Sequence, residues 1–327
     1  MQYQEELRVA LDAVKKASYL CSKVQKTLVD VRAIEKKDRS PVTIADLGSQ
    51  GIINLEIIRS FPNEPIVGEE EAGILRDNPE LRMQVVEIVT EETGNATESA
   101  ILEAIDFGNR MPDFKKRFWT VDPIDGTKGF LRGDQYAIAL ALVENGDVVM
   151  GVLGCPNFSA DDSLEGQGCI VYAVRGQGTF VRSVDGESEK KISVDSVTEG
   201  KEARFCESVE KAHASHEDHE RISAALGITA PPFRIDSQAK YAAVASGKAS
   251  IYLRLPRTRE YREKIWDHAA GCIVVTEAGG QVTDFRGKPL DFTVGRKLQD
   301  NEGILATNGH LHQKVLKAIS EEVQISE

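Results

Sequence analysis

The chain has 327 residues, more than one average domain, with 41% hydrophobic and 28% charged residues, so a globular protein of two packed lobes is expected. Forty basic and 52 acidic residues give a net charge of −12, which argues against a protein that grips nucleic acid duplexes. No apolar run approaches the roughly 18–20 residues of a membrane span, and the five scattered cysteines contain no Cys-x-x-Cys pair, against both a disulfide framework and a structural zinc site.

The first 29 residues predict an amphipathic helix, with Leu7, Leu11, Val14, Cys21, Val24 and Leu28 at helical spacing. Its charged start (Glu5, Glu6, Arg8, Asp12) lacks the apolar core of a signal peptide, so a cytoplasmic protein is expected, organellar if a targeting peptide has been removed. Ser40-Pro41 breaks the chain, and a second helix is predicted from about Thr43 to Ser60. A short strand at Pro65 to Gly68 precedes two polar helical segments between Asn78 and Phe107. From Phe118 the texture turns to strands: Phe118 to Asp122, then Tyr136–Val143 paired with Val148–Leu153 across Asn145-Gly146, then a hairpin around Gly176 to Gly178. Beyond Ala203 strand and helix alternate, with helices near Glu217–Leu226, Gln238–Ser246 and Ile265–Ala278, the last stopped by Gly279-Gly280. The pattern predicts an α+β lobe over residues 1–185 and an α/β lobe over 186–327.

Trp119-Thr120-Val121-Asp122-Pro123-Ile124-Asp125-Gly126-Thr127 is the most informative stretch, because a buried strand ends in two aspartates three positions apart. Pro123 keeps Asp122 extended and Gly126 allows close backbone approach. Asp122, the Ile124 carbonyl and Asp125 can then meet at one point, beside free N–H groups of Gly126 and Thr127. Oxygen ligands of this kind suit a hard cation such as Mg²⁺, and the N–H groups suit a phosphate. Alone, each acid has an ordinary reading as a turn or cap residue. Glu69 at another strand end, Asp267 near the start of an apolar helix and Asp46 on a helix face shift the balance.

Ser40-Pro41-Val42-Thr43-Ile44-Ala45-Asp46, Gly68-Glu69-Glu70, Asp122 to Thr127 and Trp266-Asp267-His268-Ala269-Ala270-Gly271 together resemble the lithium-sensitive, metal-dependent phosphatases. That family includes inositol monophosphatase, fructose-1,6-bisphosphatase and the 3′(2′),5′-bisphosphate nucleotidases. The resemblance implies a layered αβαβα fold. It further implies that Glu69, Asp122 and the Ile124 carbonyl hold one Mg²⁺, that Asp122, Asp125 and Asp267 hold a second, and that a third sits near Glu69. Thr127 and Asp46 resemble the family's dyad that activates the attacking water.

Gly129 to Tyr136, Ile235 to Tyr241, Tyr252 to Pro256 and Tyr261 to Asp267 resemble the nucleotidase branch, and Glu207 to His213 is a looser match. The resemblance implies hydrolysis of the 3′-phosphate of adenosine 3′,5′-bisphosphate. Lys240 and Arg254 can pair with the uncleaved phosphate, Ser237 and Glu263 with sugar or base, and His213 with the nucleotide. The sulfated analogue 3′-phosphoadenosine 5′-phosphosulfate fits the same pattern. Inositol 1,4-bisphosphate is the rival substrate, and a catalytically dead nucleotide sensor the rival class. No membrane or duplex partner is expected, and a monomer is. The basic run Arg254, Arg257, Arg259, Arg262 and Lys264 reads either as a positive wall or as a solvated loop. His213, His216 and His219 read as exposed helix residues rather than zinc ligands, and His268 as a packed residue or a partner to a ligand.

Overall fold

Two long helices open the chain in the computed structural model, which describes residues 2–31, 40–164, 168–209, 216–256, 258 and 260–323. α1 (Gln4–Val31) buries Val14, Cys21 and Val24 along one stripe, as their spacing requires. α2 (Ser40–Ser60) starts at the serine rather than at Thr43. Pro41 falls in the first turn, where its missing N–H would have had no helical partner in any case. A short strand, β1 (Ile66–Gly68), is followed by α3 (Gly73–Asp77), α4 (Pro79–Thr93) and α5 (Glu98–Phe107). Local capping sets these boundaries. The Asn78 side chain accepts from the Leu81 N–H ahead of Pro79, Gly94 (φ 85°) ends α4, and Thr97 accepts from the Ala100 N–H at the start of α5.

β2 (Phe118–Asp125), α6 (Thr127–Arg132), β3 (Ala137–Glu144), β4 (Asp147–Cys155), β5 (Cys169–Val174), β6 (Gly178–Ser183) and β7 (Glu189–Ile192) complete the first half. The seven strands pair in sequence order, β1 parallel to β2 and the rest antiparallel. Asn145 (φ 56°) and Gly146 (φ 85°) supply the two left-handed residues that join β3 to β4. β7 was not foreseen, because Glu189-Lys190-Lys191-Ile192 shows no apolar alternation; it forms a charged edge of the sheet.

The second sheet holds β8 (Phe205–Glu207), β9 (Phe233–Arg234), β10 (Ile251–Arg254), β11 (Gln281–Thr283) and β12 (Ile304–Thr307), in the order β11-β12-β10-β8-β9. Helices α7 (His216–Leu226) and α10 (His312–Glu322) cover its outer face, where Phe205, Ile222, Leu305 and Val315 share one core. Between the sheets lie α8 (Ala239–Ala245) and α9 (Ala269–Glu277), whose apolar residues pack with Ala137, Ala139 and Ala141 of β3. The outer face of the first sheet carries α1 and α2. The layers therefore run α, β, α, β, α. α9 approaches β4 so closely that a Cβ on Gly151 would lie 2.6 Å from Ile273 Cγ2. It begins at Ala269, four residues later than its apolar period suggests, because His268 has non-helical backbone (φ −137°).

Candidate active site

The end of β2 brings two acids to one face through a bulge. In a regular strand, residues three apart point to opposite sides. Here Asp122 pairs with Ala139 and Asp125 with Ala137, so three steps on β2 oppose two on β3. Pro123 cannot donate to the ladder, and the extra residue is absorbed around it. Asp122, Ile124 and Asp125 consequently line one cavity of about 300 Å³. Gly126 (φ 87°) then turns the chain into α6, where Thr127 and Gly129 also face the cavity. A Cβ on Gly126 would lie 2.9 Å from the Ser237 Cβ, so glycine is what lets the two segments touch.

Glu69 follows β1 and reaches the same cavity. Its loop is clamped by Gln50 of α2, which accepts from the Glu70 N–H at 2.9 Å and donates to the Glu70 carbonyl at 2.8 Å. Arg296 donates to the carbonyls of Gly68 and Gly108 while its guanidinium lies 4.8 Å from the Trp266 ring centroid. One side chain thus braces both the strand end before Glu69 and the residue before Asp267.

Further lining residues come from the second sheet and its helices. Ser237 (φ 67°) precedes α8, and the next backbone N–H, from Gln238, donates to Asp125 Oδ2 at 2.6 Å. Lys240, Arg254 and Asp267 line the cavity with Ser237. Lys240 Nζ donates to Ser208 Oγ at 3.3 Å, and Arg254 Nε pairs with Glu263 Oε1 at 2.8 Å. The cavity therefore gathers several carboxylates together with a lysine and an arginine.

A family model described as the inositol monophosphatase family matches residues 2–324. The chain belongs to the inositol monophosphatase family. It is similar to a 3′(2′),5′-bisphosphate nucleotidase of Schizosaccharomyces pombe, 44% identical over 97% of this chain and 96% of that one. A 3′(2′),5′-bisphosphate nucleotidase of Oryza sativa is 45% identical over 98% and 95%. Among solved structures, an inositol monophosphatase from Anabaena has the same fold, with a TM-score of 0.64 and 20% identity over 99% of this chain and 98% of that one.

Inositol monophosphatase family enzymes depend on metal, and the cavity fits one. Asp122 is 2% exposed, and its Oδ1 is buried with no hydrogen-bond partner among the described residues. An orphaned carboxylate oxygen of this kind is costly unless a cation meets it. Burial raises the pKa of Asp122, and the nearby charges of Glu69, Asp125 and Asp267 add to it. Burial likewise pushes Glu69 up to about 7, helped by Glu70, and raises Asp267, helped by Asp125. Burial also raises Asp125, against which Lys240 and Arg254 pull it down. Such mutual repulsion among oxygen donors is the electrostatic complement of a hard divalent ion.

Not every expected residue reaches the cavity. Asp46, half-buried on α2, is not among the lining residues and has no hydrogen bond to Thr127 among the described residues, but it is close enough for Glu70 and Glu69 to raise its pKa after the larger effect of burial. Glu263 is 3% exposed and is not among the residues lining the cavity; its two oxygens are engaged by Arg254 and His268. The sequence could not show these partners, because the tertiary fold brings Glu263, Arg254 and His268 together. His213, Arg257 and Arg259 lie outside the described residues. Arg262 donates to the Gln299 carbonyl at 2.9 Å, and Lys264 lies over the Trp266 ring.

Other cavity residues were not foreseen. His219 was expected to be exposed but is 3% exposed, its Nδ1 3.4 Å from Glu207 Oε1 and its ring tilted against Phe205. Only the apolar period of α7, in register with the buried Ile222, could have signalled that inward face. Asp236 also lines the cavity and pairs with Arg132. Among the described residues, Glu263, Asp267 and His268 are the one group of three ligand-type side chains whose donor atoms all lie within 4.8 Å of one another. His268 is fully buried, which lowers its pKa, and both ring nitrogens have protein partners, so it acts as a packed partner rather than a ligand.

Proposed function

We propose that the chain hydrolyses the 3′-phosphate of adenosine 3′,5′-bisphosphate, releasing AMP and inorganic phosphate. The observation that carries this reading is the gathering in one cavity of a carboxylate set (Glu69, Asp122, Asp125, Asp267) and a cationic set (Lys240, Arg254). A monoesterase for a simple monophosphate needs the first; a substrate with a second anion uses both. The names of the similar proteins support the same substrate. Sulfate can replace the distal phosphate, so 3′-phosphoadenosine 5′-phosphosulfate fits the same two sets of groups.

In this reading Glu69, Asp122, Asp125, Asp267 and the Ile124 carbonyl hold two to three Mg²⁺ ions. Bound there, the ions would neutralise charge developing on the phosphoryl and leaving oxygens and acidify the attacking water. Thr127 would orient that water through its hydroxyl, with the Asp46 carboxylate as the group that would accept from it once substrate is bound. The Gly126–Thr127 N–H groups at the start of α6 face the phosphoryl oxygens. Ser237 contacts the nucleoside, and Lys240 and Arg254 hold the 5′-phosphate. Water's oxygen forms the new P–O bond, the P–O3′ bond breaks, and a proton passes to the 3′-oxygen.

The test is phosphate release from adenosine 3′,5′-bisphosphate and from inositol 1,4-bisphosphate with Mg²⁺, then with added Li⁺. Strong preference for the nucleotide, suppressed by millimolar Li⁺, is expected. Equal or faster release from the inositol substrate would overturn the substrate assignment, and no release from either would point to a nucleotide sensor.

A further inference from the structure

From Arg254, four side chains form one hydrogen-bonded line. The Tyr241 hydroxyl lies 2.8 Å from His268 Nδ1, His268 Nε2 lies 3.3 Å from Glu263 Oε2, and Glu263 Oε1 takes Arg254 Nε at 2.8 Å. Tyr241 and His268 are fully buried. The bonding pattern assigns the polarity: the tyrosine donates to Nδ1, so the ring proton sits on Nε2 and is donated to the carboxylate, which also accepts from the guanidinium. Of the four, Arg254 alone lines the cavity.

Tyr241 also bears on the other half of the cationic set. Its ring meets Tyr252 edge to face, with centroids 5.1 Å apart, and Lys240 Nζ lies 5.3 Å from the Tyr252 centroid. One residue therefore supports Arg254 through its hydroxyl and Lys240 through its ring. Tyr241 is itself held in place by α9, since a Cβ on Gly271 would lie 2.1 Å from the tyrosine ring.

We propose that Tyr241, His268 and Glu263 are positioning residues that fix the orientation of Arg254, and so set the selectivity for substrates carrying a second anion over plain monophosphates. The inference rests on the function proposed above and deepens it. A guanidinium held at Nε, with Nη2 also 3.4 Å from the Tyr261 hydroxyl, keeps a fixed plane, and less freedom is lost when it grips an anion. A loose arginine would meet the same anion more weakly while leaving the carboxylate set untouched.

The experiment compares wild type, Tyr241→Phe and Glu263→Gln with Mg²⁺ present. Steady-state rates are measured on adenosine 3′,5′-bisphosphate and adenosine 3′-monophosphate, and AMP and inorganic sulfate are titrated by calorimetry. Tyr241→Phe keeps the ring and removes one buried hydrogen bond, so the ratio of kcat/KM for bisphosphate over monophosphate should fall about three- to tenfold. The fall should come through KM, with AMP binding weakened by a similar factor. Glu263→Gln should lower the ratio further, by roughly tenfold or more, because it removes a charged partner. An unchanged ratio, or a loss in kcat alone, would overturn the proposal. If wild type releases no phosphate from the bisphosphate, the functional reading falls, and the AMP and sulfate affinities alone decide the positioning role: equal affinity in wild type and both variants would sink it.

Discussion

A carboxylate oxygen buried without a partner destabilises a fold until something positive reaches it. Asp122 carries such an oxygen, and burial together with Glu69, Asp125 and Asp267 raises its pKa. Replacing it by asparagine removes one negative charge from a repelling group and leaves the shape almost unchanged. We therefore expect Asp122→Asn to make the metal-free protein more stable by about 1–2 kcal/mol, a rise of roughly 2–6 °C in Tm. Phosphate release should meanwhile fall by roughly 10³-fold or more. Calorimetry in chelator and a phosphate assay in Mg²⁺ check the two halves separately. A variant less stable than wild type would show that Asp122 is held by structural bonds rather than poised for a cation. The contrast with Glu263 is instructive at the same scale. Both are buried acids, but burial raises the Glu263 pKa less than its bonds to His268 and Arg254 lower it, so this one stays charged with its needs met inside the protein.

Elements place these residues, and the corner between β2 and α6 is the most constrained. Gly126 has φ 87°, and any Cβ there would lie 2.9 Å from the Ser237 Cβ. Gly126→Ala should cost about 1–3 kcal/mol through backbone strain alone and displace Ser237 from the cavity wall. Urea unfolding should show the lower midpoint, and KM for the bisphosphate should rise. A wild-type midpoint and KM would mean that the corner relaxes freely. This corner was legible in the sequence because its signals are local: proline removes a ladder donor, glycine permits the left-handed turn, and the acids sit between them. Asn145-Gly146 was legible for the same reason. The start of α9 was not, since Ile265 to His268 continue an apolar period while their backbone serves long-range partners, with the Trp266 carbonyl accepting from the Gln238 side chain. The pairing of Arg254 with Glu263 and the burial of His219 against Glu207 were equally invisible, because each joins elements that only the fold brings together.

On the scale of the whole molecule, the cavity is shared between two halves of one negatively charged chain. Glu69, Asp122 and Asp125 come from the first sheet, and Asp267 from the segment leading into a helix between the sheets. Without metal these carboxylates repel across the junction; a cation bound by both sides would hold the junction together. The pH dependence follows from the direction of the pKa shifts. Glu69 is pushed up to about 7, against roughly 4.3 for an unperturbed glutamate, and Asp122 and Asp267 are also raised. A carboxyl whose folded pKa is raised favours the folded state fully below about pH 4, and that contribution is lost as pH climbs through the folded value. The metal-free protein should therefore lose stability from these groups between about pH 4 and 7 and beyond. A cation competes with protons for the same oxygens, so its stabilising effect must grow over the same window. At 100 times its dissociation constant, Mg²⁺ should add about 2.7 kcal/mol. The difference in Tm between Mg²⁺ and chelator should then be small at pH 5 and several degrees at pH 8. An equal increment at both values would mean that the ion binds groups that do not titrate in this range. The four carboxylates would then have to be explained without a metal, and the unpartnered oxygen of Asp122 would be left as an uncompensated cost at the centre of the protein.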